Sequence, residues 1–268
     1  MRNSKTNELV LTGLFTAIII IMAFTPLGYI PLVVINATII HIPVILGSLF
    51  CGPKKGAFLG FVFGFTSCLK ATIVGGTLSS FVFSPVLAAS LVGTSGIFKS
   101  LFIAFVPRIL VGVIPYFVYI GIKKVLASEK KNLWGTVLNV LMSVFLAFGV
   151  YAFLGSLSRA AALGIGIAVG AVVFIVVEAV FIRKSTQVIP FVYAGVAGAM
   201  TNTLLVMGSI FVLYKDAYAD AIGVAGNAGL GVITGVISFN GVIEAIVAAI
   251  IVYLVGLVLN TIKPIAAK

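Results

Sequence analysis

Apolar residues in this chain come in long runs broken by short polar clusters. A helix needs roughly 20 mostly apolar residues to cross a bilayer. Read this way, spans run from Leu9 to Thr25, Asn36 to Phe50, Gly56 to Leu69 and Ser100 to Ile122, then Trp134 to Ser156, Ala160 to Ile182, Phe191 to Tyr214 and Gly241 to Leu259. Pro26 and Gly28 stop the first. Gly52-Pro53-Lys54-Lys55 turns the second into the third, because Gly-Pro breaks the helix and the lysines keep the turn in water. The second and third are short, and one long broken helix is the competing reading. Lys70 to Lys99 is a long Gly/Ser/Thr-rich segment, with a short helix expected at Val86–Val92. Loops of that length are usually functional. A second loop follows Tyr214, with Lys215, Asp216, Asp220 and a glycine-rich stretch from Gly223 to Gly235. The expected fold is an all-α polytopic membrane bundle of eight spans, forming one transmembrane domain over residues 1–268.

Composition agrees with this. The chain is 62% hydrophobic and 9% charged, against about a quarter charged in soluble domains. The first run follows Arg2 and Lys5 and lacks a small-residue cleavage site, so it is expected to stay as a spanning helix rather than be removed as a signal peptide. Cys51 and Cys68 have no CxxC spacing and read as small apolar packing residues.

The net charge of +11 would suggest nucleic acid if it lay on one face. It lies instead in clusters between spans, which sets orientation and gives no reason to expect a nucleic-acid partner. With the N-terminus inside, the inner group is Arg2, Lys5, Lys54, Lys55, Lys123, Lys124, Lys130, Lys131, Arg183, Lys184, Lys263 and Lys268. The outer group is Lys70, Lys99, Arg159 and Lys215. That is twelve against four, with Arg108 left inside a span. Both termini are therefore expected in the cytoplasm. The two glycine-rich loops and the Tyr29–Ile35 loop are expected together outside.

Polar groups within apolar spans are costly and point to function. Arg108 lies eight residues into the fourth span, roughly 12 Å below its outer end. Glu244 lies one turn into the eighth. The two either contact a ligand or pair with each other. Glu178, with Arg183 five residues on, reads as reaching for the inner interface. His41 is the only histidine, and with no Cys/His/Asp partners at ligand spacing it builds no metal site. It is either a packing histidine or a substrate contact. Asn202 is mid-span and either bridges helices or faces a cavity. Asn240 opens the eighth span, as an N-cap or as a ligand group. The chain contains no GxxxxGK[ST], GxSxG or HExxH. No catalytic constellation, cofactor site or enzymatic activity is expected. Gly13 and Ala17 form a small-xxx-small step that lets another helix approach closely, within this chain or from a partner.

The runs Ala37-Thr38-Ile39-Ile40-His41-Ile42-Pro43 and Gly52-Pro53-Lys54-Lys55-Gly56 resemble the second and third helices of S components of energy-coupling factor (ECF) transporters. Phe83-Ser84-Pro85, Pro107-Arg108, Thr201-Asn202-Thr203 and Asn240-Gly241-Val242-Ile243-Glu244 resemble later parts of the same six-helix core, in the same order. The pattern is most similar to the pantothenate-type members. It departs from the family by an extra apolar hairpin, roughly 134–182. The resemblance implies a bacterial plasma-membrane subunit that captures a water-soluble vitamin from outside. A transmembrane T subunit and two ABC ATPase subunits would then drive its release inside. It implies a T-subunit contact at Gly13 and Ala17, and a ligand site under the outer loops drawing on His41, Arg108, Asn202, Asn240 and Glu244. Folate, nicotinate and pyridoxine remain alternatives to pantothenate within the class. Outside it, a self-sufficient channel or secondary transporter for a small anionic solute is the competing reading. The inverted internal repeat that would mark a secondary transporter is not apparent.

Overall fold

A computed structural model describes residues 4–31, 36–75, 80–154, 158–184, 189–221, 228–262 and 265. Ten α-helices are described: α1 Ser4–Phe24, α2 His41–Cys51, α3 Pro53–Ile73, α4 Pro85–Val92, α5 Ser95–Val111, α6 Ile114–Leu126, α7 Lys131–Phe153, α8 Arg159–Lys184, α9 Ile189–Ala221 and α10 Ala228–Ile262. An antiparallel pair of three-residue strands, β1 Tyr29–Pro31 and β2 Asn36–Thr38, joins α1 to α2. Among the described residues, seven helical segments are long and apolar enough to cross a membrane, α5 and α6 counting as one. The chain is thus a helical membrane bundle as expected, with seven such segments described where eight spans were expected and α2 falling short of spanning length.

α2 is the shorter apolar helix in its centre. Every residue from His41 to Phe50 is buried, as for a helix packed on all sides. It packs against α1, α3 and α9. The second span was expected from Asn36, but Asn36–Thr38 pairs with Tyr29–Pro31 as strand. Pro43 then sits in the first turn of α2, where a missing N–H costs nothing. Gly52, at φ +87°, makes the turn into α3, and Pro53 opens that helix.

The expected fourth span is two helices. α5 begins five residues earlier than Ser100, and the chain breaks at Gly112–Val113 before α6 starts at Ile114, with Pro115 in its first turn. α5 lies directly on α3 because Gly56, Gly60 and Gly64 recur every fourth residue. A Cβ at each would run into the backbone carbonyls of Gly112, Arg108 and Ala104, respectively. This small-residue seam brings the two backbones into contact and fixes where Arg108 sits.

α7 and α8 form a hairpin, with α7 packed on α10 and, more lightly, on α6. Glu178, expected to reach for the inner interface, has its carboxylate hydrogen-bonded to α7. Thr136 Oγ1 donates to its Oε1 at 2.7 Å and Asn139 Nδ2 to its Oε2 at 2.6 Å, and Tyr193 of α9 donates to Asn139 Oδ1 at 3.1 Å. This clasp ties the hairpin to the bundle. α9 runs beyond the expected end, but Tyr214 breaks its helical geometry at that point (φ −136°, ψ 18°). The largest difference is in α10, which starts at Ala228 rather than Gly241. Helical glycine costs about 1 kcal/mol relative to alanine. That cost is small beside leaving backbone groups without partners in an apolar medium. Residues 222–227 of that expected loop lie outside the described residues, as do 76–79 of the first.

Candidate functional site

A cavity of about 270 Å³ lies between α3, α5 and α9, at the end of the β1–β2 pair and the 80–82 turn. This is close to the lower end of the ~300–1,000 Å³ usual for small-molecule sites. Its lining is mixed: Thr38, Phe63, Ser67, Lys70, Ala71, Gly75, Ser80, Phe83, Arg108 and Asn202. Two cations and an amide thus share a small cavity with hydroxyls and two aromatic rings.

Arg108 is buried. It stands thirteen residues into α5, deeper than the expected eight, because the helix starts at Ser95. Its Nη1 donates to the carbonyl of Ile103 at 2.6 Å. The guanidinium carbon lies 4.7 Å from the ring centre of Phe83 and 5.5 Å from that of Phe63. These contacts are cation–π in type and hold a planar fork at the cavity wall. Asn202 is buried on α9, and among the described residues its Oδ1 has no hydrogen-bond partner. A buried amide oxygen in that state is an acceptor suited to a ligand donor.

Glu244 is not in the lining but stands one residue behind it. Its Oε1 accepts from the backbone N–H of Thr38 at 2.8 Å and its Oε2 from Thr203 Oγ1 at 2.7 Å. Both oxygens are therefore bonded to neutral donors. The arrangement gives Glu244 the work of pinning the β1–β2 pair to α9 and α10, and of aiming Thr38 at the cavity.

His41 and Asn240 are buried but are not among the described lining residues. Among the described residues, neither ring nitrogen of His41 meets a partner at full hydrogen-bond geometry, and the same holds for Asn240 Oδ1. Asn240 does not open a helix, since it lies twelve residues into α10. The structure therefore gathers Arg108 and Asn202 at one cavity with Glu244 supporting it, and leaves His41 and Asn240 outside the described wall. Lys70, Thr38, Ser67 and Ser80 are lining residues that the sequence reading did not select. Gly13 and Ala17 are exposed on α1, and among the described residues a Cβ at Gly13 would meet nothing within 4 Å.

A family model described as "ECF transporter, substrate-specific component" matches residues 7–183. This chain belongs to that family. It is a multi-pass protein of the bacterial plasma membrane, a transporter subunit rather than an enzyme. Among curated proteins it is similar to the pantothenic acid transporter PanT of Lactococcus lactis subsp. cremoris, 42% identical over 161 residues, covering 56% of this chain and 78% of the relative. It is also similar to the pantothenate transporter PanT of Leuconostoc mesenteroides subsp. mesenteroides, 37% identical over 119 residues, covering 42% of this chain and 51% of the relative. Membership implies a vitamin as cargo and T and ATPase subunits as partners.

Proposed function

We propose that this S component captures pantothenate from outside the cell and delivers it inward through a complex with a T subunit and two ABC ATPases. The observation carrying the choice of ligand is the small cavity with Arg108, Lys70 and Asn202 on its wall, in a chain similar to two proteins named as pantothenate transporters. Pantothenate carries one carboxylate, an amide and two hydroxyls. A carboxylate leaving water needs a cation or several donors, which Arg108 and Lys70 supply. The amide and hydroxyls match Asn202, Thr38, Ser67 and Ser80. The volume favours a compact vitamin over folate.

The chain crosses the membrane eight times with both termini in the cytoplasm. α2 is only about 16 Å long at 1.5 Å per residue, about half a hydrocarbon core, and the β1–β2 segment completes its crossing. The hairpin within residues 134–182 is an addition to a six-helix core. The exposed Gly13–Ala17 face of α1 receives the T subunit.

Mass spectrometry of the small molecule retained by gently purified protein tests the assignment. Pantothenate is the expected species. Stoichiometric recovery of nicotinate, pyridoxine or folate would replace it.

A further inference from the structure

The end of α1 is held from within the ligand cavity. The last four carbonyls of a helix have no partner inside it. In α1, Thr25 Oγ1 donates to the carbonyl of Ile21 at 2.7 Å, and Lys70 Nζ donates to the carbonyl of Ala23 at 2.9 Å. Lys70 comes from the last turn of α3 and also lines the cavity beside Arg108. A cation at a helix C-terminus is favourable in itself, and a cap alone would explain the bond to Ala23. It would not explain why the capping residue is a cavity wall residue.

The two cavity cations are anchored differently. Arg108 donates to Ile103 within its own helix and faces the rings of Phe63 and Phe83. The Lys70 bond crosses to another helix, 47 positions away in sequence. An ammonium has three N–H donors in a compact, rotatable head. It can therefore hold a backbone carbonyl and a ligand oxygen together. A carboxylate makes the stronger, charge-assisted bond, and an ammonium held by an anion on one side restrains whatever it holds on the other.

We propose that Lys70 ties an anionic ligand in the cavity to the last turn of α1, its ammonium taking a carboxylate oxygen of the ligand while keeping the carbonyl of Ala23. The inference rests on the pantothenate reading given above. It adds a specificity residue for the carboxylate and a physical route from cavity occupancy to α1. That helix carries the exposed Gly13–Ala17 face, so loaded and empty proteins differ at the element that a partner helix would meet.

The test uses the full chain in lipid nanodiscs with pantothenate and with pantothenol, which has an alcohol in place of the carboxylate. Binding is measured for wild type, Lys70→Gln and Lys70→Arg, and hydrogen exchange is followed in the peptide covering residues 20–28. Wild type is expected to prefer pantothenate. Lys70→Gln should reduce that preference by about tenfold or more, the scale of one charge-assisted hydrogen bond, while pantothenol binding shows that the variant is folded. Lys70→Arg should keep most of the preference. Pantothenate should slow exchange at the end of α1 in wild type, and pantothenol should not. An unchanged preference in folded Lys70→Gln overturns the inference while the pantothenate reading stands. If Lys70→Gln does not fold, equal protection of α1 by both ligands in wild type overturns it as well. Wild type that binds neither compound overturns the pantothenate reading and this inference together.

Discussion

Arg108 and Asn202 were legible in the sequence because a guanidinium or an amide within an apolar run is expensive and needs a reason. Lys70 was not, because a lysine at the end of a span looks like any interfacial charge. Only the fold shows it bonded to α1 and facing the cavity. Glu244 was legible as important but not in its role, since nothing in the sequence pairs it with Thr38 and Thr203, 206 and 41 positions away. Two predictions belong at this scale. Arg108→Ala should weaken pantothenate binding by about 2–5 kcal/mol, the range for removing one side of a buried charge contact. Pantothenol binding should fall less, as read by titration calorimetry on both ligands. Glu244→Ala strands a backbone N–H and a hydroxyl and should lower stability by about 1–3 kcal/mol for each stranded group. Glu244→Gln, which can serve both with an acceptor and a donor, should keep most of it. Equal melting temperatures for the Ala and Gln variants would contradict the pinning role.

The positions of most helices followed from apolar run length alone, and Tyr214 breaks the helix where the seventh span was expected to end. The misplaced boundaries share a cause, which is that local polarity and glycine content do not report tertiary partners. Asn36–Thr38 is strand because it has Tyr29–Pro31 to pair with. The glycine-rich residues from Ala228 are helical despite their propensity. The α3 glycine seam is the element on which the site depends, because it sets the depth and rotation of α5. Gly60→Val should drive a side chain into the Arg108 carbonyl and cost about 1–3 kcal/mol by overpacking, with pantothenate binding lost along with stability. A Gly60→Val protein with wild-type melting and binding would show that the seam does not set the site. Gly13 gives the opposite expectation, since its face is open. Gly13→Leu and Ala17→Leu should leave binding to the isolated protein intact and abolish co-purification with the T subunit. Normal assembly of both variants would move the interface elsewhere.

For the molecule as a whole, the proposed orientation rests on the charge distribution, and the proposed eight passes rest on seven long apolar helical segments together with the shorter α2. In a background with Cys51 and Cys68 replaced, a cysteine at exposed Thr94 should react with an impermeant reagent outside intact cells. One at exposed Ser128 should react only after permeabilisation. The opposite labelling would invert the topology. The division of labour that membership in the family implies, with capture in this chain and ATP hydrolysis elsewhere, requires that the isolated chain bind its cargo without ATP or partners. Calorimetric titration of pantothenate into the purified wild-type chain tests this most directly. Saturable binding of one pantothenate per chain, undiminished by excess nicotinate or pyridoxine, is the expected result. Heat no greater than dilution, from protein shown to be folded and freed of retained ligand, would contradict it.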